Sequence, residues 1–238
     1  MIESDLDAIK QTATIFLNMD VKDTPFSPMI VQHPIFESGY IGIIQNGKYK
    51  PVNICDDEIA REEVLSQYYK RIDLCKSAAE VYQIVRKSYK LSFLKYIWRY
   101  LNVKDRSELM RDAWITSEDP NQDANVSIVE LIKMFMDTDR RFLMKEEEIA
   151  FLNSLPYEFE IYRGVAVERN PNGLSWTPSQ KIAIWFAHRF DRMGEQGYVK
   201  KGLVQKDSVL AYFNGRDEEE IVVPINKIRI MENNIDSI

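Results

Sequence analysis

The stretch "EFEIYRGVAV", residues 158–167, alternates its side chains and is rich in β-branched and aromatic residues, the pattern of a half-buried strand. It marks where the texture of the chain changes. Downstream, "GLSWT" (173–177) reads as a short strand and "PSQKIAIWFAHRF" (178–190) as a helix with Ile182, Trp185, Phe186 and Phe190 facing inward. "YVKKGLV", "SVLAYF" and "EEIVVPI" read as further strands. Upstream the pattern is helical. Val64, Tyr68 and Ile72 lie four apart, residues 76–101 carry a second helical stretch, and Ile128, Leu131, Ile132 and Phe135 follow one face of an amphipathic helix. The exceptions are a β-hairpin over residues 35–53 around Asn46-Gly47 and a polar loop, "SEDPNQDAN", over 117–125. The expectation is an α+β protein. Residues 1–150 form a mostly helical part with the hairpin, residues 151–238 a β-rich part carrying any chemistry, and the two pack as one body.

With 238 residues, 45% of them hydrophobic and 29% charged, the composition is that of a soluble globular chain. Its longest apolar runs are too short to cross a bilayer, and "MIESDLDAIK" lacks the basic flank and apolar core of a signal peptide. Cys55 and Cys75 do not make a disulfide framework, and with only His33 and His188 no metal-ligand spacing exists. These features predict a reduced, cytoplasmic protein without a metal. The net charge of −6 argues against broad adhesion to nucleic acid. Residues 86–106 are a local exception, with seven Lys or Arg residues among Tyr89, Phe93, Tyr96, Trp98 and Tyr100. Such a segment is either a base-stacking surface or a buried helix whose cations snorkel around an aromatic core.

Three short elements carry candidate chemistry. In "YFNGRDEEEIVVP" (212–224) an acidic run enters an apolar strand. Strand alternation puts Glu218 and Glu220 on one face, about 7 Å apart, with Glu219 pointing away. The run is either a charged strand end that discourages edge pairing or a pair of carboxylates held for acid–base work. In "IYRGV", Arg163 offers a rigid fork to phosphate or carboxylate, and Gly164 lets a ligand approach the backbone; the plain alternative is an Arg on a solvated face. In "LSWTPSQ", Ser175 and Thr177 share a face opposite Trp176. Thr177 also fits a helix N-cap, with Pro178 at the first helical position and Gln180 three residues after the cap. The Ser175 hydroxyl is left to orient a carboxylate or a sugar.

Arg on a first strand, Ser-x-Thr on a second and Glu-x-Glu entering a third resembles the R-S-E class of ADP-ribosyltransferases. The matching residues are Tyr162-Arg163-Gly164, Ser175-Trp176-Thr177 and Glu218-Glu219-Glu220-Ile221. The longer phrases "GLSWTPSQKIAIWFAHRF" and "VLAYFNGRDEEEIVV" are similar to uncharacterised bacterial and phage-type members. The resemblance spans residues 157–225. It implies a compact split β-sheet core, NAD as co-substrate and no metal. Arg163 would bind NAD through phosphate or ribose, with Gly164, Ser175 and Thr177 completing the donor site and Ser175 positioning the catalytic acid. Glu220 would hold the 2′-hydroxyl of the nicotinamide ribose and stabilise the oxocarbenium-like transition state, and Glu218 would serve the acceptor. Asn214 and Arg216 stand where the family reads its acceptor. The implied acceptor is a macromolecule, either a protein arginine or a nucleic-acid base, and the implied setting is a toxin or phage-conflict effector with a neutralising antitoxin protein. The sequence pattern departs from the family in Thr177 and in the short spacing between Arg163 and Ser175, so the helical part has to complete the NAD cleft. An NAD glycohydrolase and a non-catalytic binding module fit the same residues.

Overall fold

The computed structural model describes residues 3–191, 196–215 and 217–231. The chain forms two compact units, Met1–Leu109 and Met110–Ile238.

The first unit is mainly helical. Helix α1 (Leu6–Leu17) is followed by the short strands β1 (Lys22–Asp23) and β2 (Val31–Gln32), then β3 (Tyr40–Gln45) and β4 (Lys48–Asn53). Then come α2 (Glu58–Leu74), α3 (Ala78–Tyr82), α4 (Lys90–Ile97) and the start of α5 (Val103–Thr116). The Asp5 side chain caps α1 by accepting from Ala8 N, and α1 buries Ile9, Ala13, Phe16 and Leu17. Phe16 meets the Phe93 ring edge-on at 5.1 Å. β3 and β4 pair antiparallel from Tyr40↔Asn53 to Gln45↔Lys48. Asn46 and Gly47 both take positive φ (53° and 71°), as the tight two-residue turn requires. His33 is buried and structural: its Nδ1 accepts from Ile35 N and Phe36 N, and burial lowers its pKa to about 4.

The second unit holds the rest of α5, α6 (Ile128–Met136), α7 (Arg140–Leu143), α8 (Glu146–Ser154) and α9 (Gln180–His188). Its strands are β5 (Glu158–Val165), β6 (Ser175–Trp176), β7 (Tyr198–Gln205), β8 (Ala211–Phe213), β9 (Glu220–Val222) and β10 (Ile228–Met231). They form two antiparallel sheets of three strands, β10-β7-β5 and β6-β9-β8. A single bridge joins them, Tyr162 N to Thr177 O at 2.7 Å and Thr177 N to Tyr162 O at 2.8 Å. The architecture is thus α+β, with small sheets.

Three expectations from the sequence change. The division falls within α5, at residue 109 and not at 150, because α8 is built onto the β-rich part: the Phe151 ring stacks on Tyr212 of β8 at 4.4 Å. Helix α9 buries Ala183 and Ala187, while Trp185 and Phe190 are 59% and 46% exposed. The cause is its close approach to β5. A Cβ on Gly164 would lie 2.1 Å from the Ala183 carbonyl oxygen, so only small residues fit beneath the helix and the aromatics ride its flanks. The N-cap of α9 is Ser179, whose hydroxyl accepts from Ile182 N. Thr177 cannot serve, because its backbone is still paired in the sheet, and Pro178 precedes the helix.

Candidate active site

A cavity of about 410 Å³ opens in the second unit, within the size range of small-molecule sites. Arg163, Gly164, Ser175, Thr177, Glu218 and Glu220 all line it. The sheets explain the convergence. Ser175 pairs with Val222 and Trp176 with Ile221, so Glu220 enters β9 beside the end of β6. The Tyr162–Thr177 bridge brings Arg163 of β5 to the same place.

Arg163 is 9% exposed. Its Nη1 donates to Ser175 O and its Nη2 to Asn170 O at 2.8 Å, so part of the fork holds the two chain segments that flank the cavity. Gly173 leaves room for this: a Cβ there would lie 2.4 Å from Arg163 Nη2. Burial pushes the pKa of Arg163 down to about 10, while the charges of Glu220 and Asp119 pull it upward. The guanidinium therefore stays charged at neutral pH. Arg163 Nε and Trp114 Nε1 are buried without a hydrogen-bond partner among the described residues, and both side chains line the cavity. Each such donor costs about 1–3 kcal/mol.

Ser175 Oγ accepts from Asn121 Nδ2 at 3.0 Å. Thr177 Oγ1 accepts from Ser179 N, which leaves Thr177 as a buried organiser of the strand-to-helix corner. Gly164 lines the cavity, and the close approach of α9 leaves no room for a side chain on it. The two acids reach the cavity by a different route from the one expected. β9 begins only at Glu220, and Asp217 and Glu219 take positive φ (56° and 46°), so Glu218 sits in a turn and not on a strand face. The Asn214-Gly215 turn signal extends further into the acidic run than strand alternation implies.

Asn214 does not line the cavity. Its Oδ1 accepts from Glu219 N at 3.2 Å and closes the loop on itself. Arg216 lies outside the described residues. His188 is exposed and pairs its Nδ1 with Asp191 Oδ2 at 2.7 Å, away from the cavity lining.

The structure adds residues that the sequence did not single out. Asn121, from the polar loop, donates to Ser175 Oγ and accepts from Leu174 N at 2.6 Å, a double contact that fixes β6. Asp119 of the same loop forms an ion pair with Arg169. At the end of α9 the Arg189 guanidinium lies 4.5 Å from the Phe190 ring and 5.0 Å from Phe186, and all three line the cavity. Two aromatic rings, an arginine beside them, two carboxylates and a buried arginine thus line one cavity, a combination suited to a ligand with flat rings and oxyanions. Among the described residues no group of three His, Cys, Asp or Glu side chains could hold a metal ion, both cysteines are free thiols, and no helix is long and apolar enough to cross a membrane. No protein-family model, no curated protein and no solved structure matches this chain.

Proposed function

We propose that the second unit is an NAD-dependent ADP-ribosyltransferase whose six strands correspond to a compact split-sheet core. The observation that supports this most is the convergence of Arg163, Ser175, Glu218 and Glu220 from separate segments on one cavity, in the order that the family pattern requires. The buried donors suit a ligand rich in acceptor oxygens, as a pyrophosphate-linked dinucleotide is. The flat rings of that ligand find a platform on Phe186 and Phe190, with Arg189 beside them.

In this reading Arg163 and Asn121 act mainly by holding the walls, and the charge of Arg163 attracts the pyrophosphate. Glu220 accepts from the 2′-hydroxyl of the nicotinamide ribose and stabilises positive charge developing at C1′. The bond from C1′ to the nicotinamide nitrogen breaks with its electron pair going to the ring, so nicotinamide leaves neutral and needs no general acid, unlike a glycosidic oxygen. The acceptor's lone pair forms the new bond to C1′, and Glu218 takes the acceptor's proton. The acceptor is a macromolecule, a protein arginine or a nucleic-acid base, and an activity of this kind inside a cell calls for a neutralising partner.

Purified protein, NAD tagged on the adenylate and a lysate split into protein and nucleic-acid fractions test this together. Label in one fraction, absent with Glu220→Gln, establishes transfer and names the acceptor class. Free nicotinamide without labelled macromolecule means a glycohydrolase. A folded protein that leaves NAD intact ends the enzymatic reading.

A further inference from the structure

We propose that the buried Arg111–Glu148 pair is a positioning device for Glu218 and Glu220, an inference that rests on reading those two acids as catalytic. Glu148, in the first turn of α8, is only 2% exposed. A buried carboxylate is costly unless it is paired and its lone pairs are filled, and here both conditions hold. Arg111 of α5 meets it with two nitrogens, Nη1 to Oε2 at 2.5 Å and Nη2 to Oε1 at 2.9 Å. Oε2 also accepts from Lys145 N at 2.8 Å, which closes the capping box of α8. That capping contact needs neither Arg111 nor the other oxygen.

Oε1 accepts from Asn214 N at 3.0 Å, a residue sixty-six positions away. Asn214 Oδ1 then accepts from Glu219 N, the residue between the two acids. Arg111 reaches the same loop from another side: its guanidinium carbon lies 5.1 Å from the centre of the Phe213 ring, and Phe213 faces Glu220 across the β8–β9 ladder. The pair therefore grips both residues that precede the acidic turn. Burial pushes the Glu148 carboxyl up, but Arg111 and the two backbone N–H groups more than offset it, so its pKa lies below the usual carboxylate value. It is ionised throughout the neutral range. An acidic turn with two positive-φ residues has little regular structure of its own to hold it, and this anchor supplies what the short β9 does not.

The test uses the full chain and three variants. Glu148→Gln weakens the grip of Arg111. Asn214→Ala removes only the exposed last link and leaves the buried pair intact, so it remains informative if Glu148→Gln fails to fold. Glu147→Gln, on the exposed side of the same helix, is the control. The readout is the ratio of ADP-ribose transferred to a macromolecule over ADP-ribose released to water, which does not depend on how much of the sample is folded. Displacing Glu218 relative to Glu220 lowers this ratio about tenfold in Glu148→Gln and Asn214→Ala, and the control leaves it unchanged. An unchanged ratio in the two folded variants overturns the proposal. Amide hydrogen exchange over residues 214–222 separates this from failure of the enzymatic reading. If the wild-type chain consumes no NAD, faster exchange confined to that segment in both variants still supports the anchor, and unaltered exchange refutes it.

Discussion

Two segments of this chain look alike in sequence and behave oppositely. Residues 86–106 and 180–190 both mix aromatic rings with cations on helical spacing. In the first, Phe93, Leu94 and Ile97 are fully buried, and the cations lie over rings of their own unit: Lys90 over Tyr82 at 4.5 Å, Arg99 over Tyr100 at 4.7 Å and Arg106 over Trp98 at 5.7 Å. Tyr96 is exposed, and Tyr89, Trp98 and Tyr100 are half-buried, so the segment joins a buried apolar face to rings that reach the surface. In the second, the helix buries two alanines and turns Trp185 and Phe190 outward, with Phe186 and Phe190 on the cavity. The difference lies in the partner. A helix resting on other helices 8–10 Å away buries its large residues, whereas one pressed onto a glycine of β5 buries its smallest ones. The aromatics left over become available for a ligand.

The largest effect is expected at Phe93. Phe93→Ala removes a ring from a closed core and is expected to cost about 3–5 kcal/mol in denaturant unfolding. Gly164→Ala forces a methyl group into the α9 backbone and is expected to cost about 1–3 kcal/mol, with the loss seen by probes in the second unit. Phe190→Ala should change stability by no more than about 0.5 kcal/mol, yet weaken NAD binding by about 1–3 kcal/mol in calorimetric titration if a base stacks on it. A large stability loss there would mean that α9 is packed like α4 and that the comparison fails. Acid should weaken the buried pair. Because the folded-state pKa of Glu148 is depressed, its contribution is complete above the ordinary carboxyl value of 4.5 and is lost as pH falls through the lower folded value. Glu148→Gln should remove that part of the acid sensitivity, as followed by fluorescence between pH 6 and 2. The smallest effect is expected for Lys87→Gln, which should leave NAD consumption and its salt dependence unaltered.

Part of the fold was legible in the sequence. Alternation identified β5, the Asn-Gly pair gave the hairpin, and the i, i+3, i+4, i+7 pattern gave α6. β10 was overlooked although Ile228 and Ile230 alternate in it, and α1, α5, α7 and α8 were covered only by the expectation of a mostly helical part. Faces were harder to read, because Ala183 and Ala187 are spaced by four just as Ile182 and Phe186 are, and periodicity alone does not say which stripe a neighbour will accept. The candidate residues on strands were picked out in the sequence and do line one cavity, but the contacts of Asn121 and Glu148 were not foreseen. Each acts through a partner more than fifty positions away, Ser175 for one and Asn214 for the other, and nothing within their own segments marks that contact.

In the proposed reaction Glu220 works on the ribose of NAD in this cavity. Nicotinamide release from NAD, followed chromatographically, is to be compared between the wild-type chain and Glu220→Gln at equal folded concentration. Steady release is expected from the wild type and a rate at least about 100-fold lower from the variant, with NAD still bound by both. Equal rates in the two proteins, or a folded wild type that neither binds nor cleaves NAD, would contradict it.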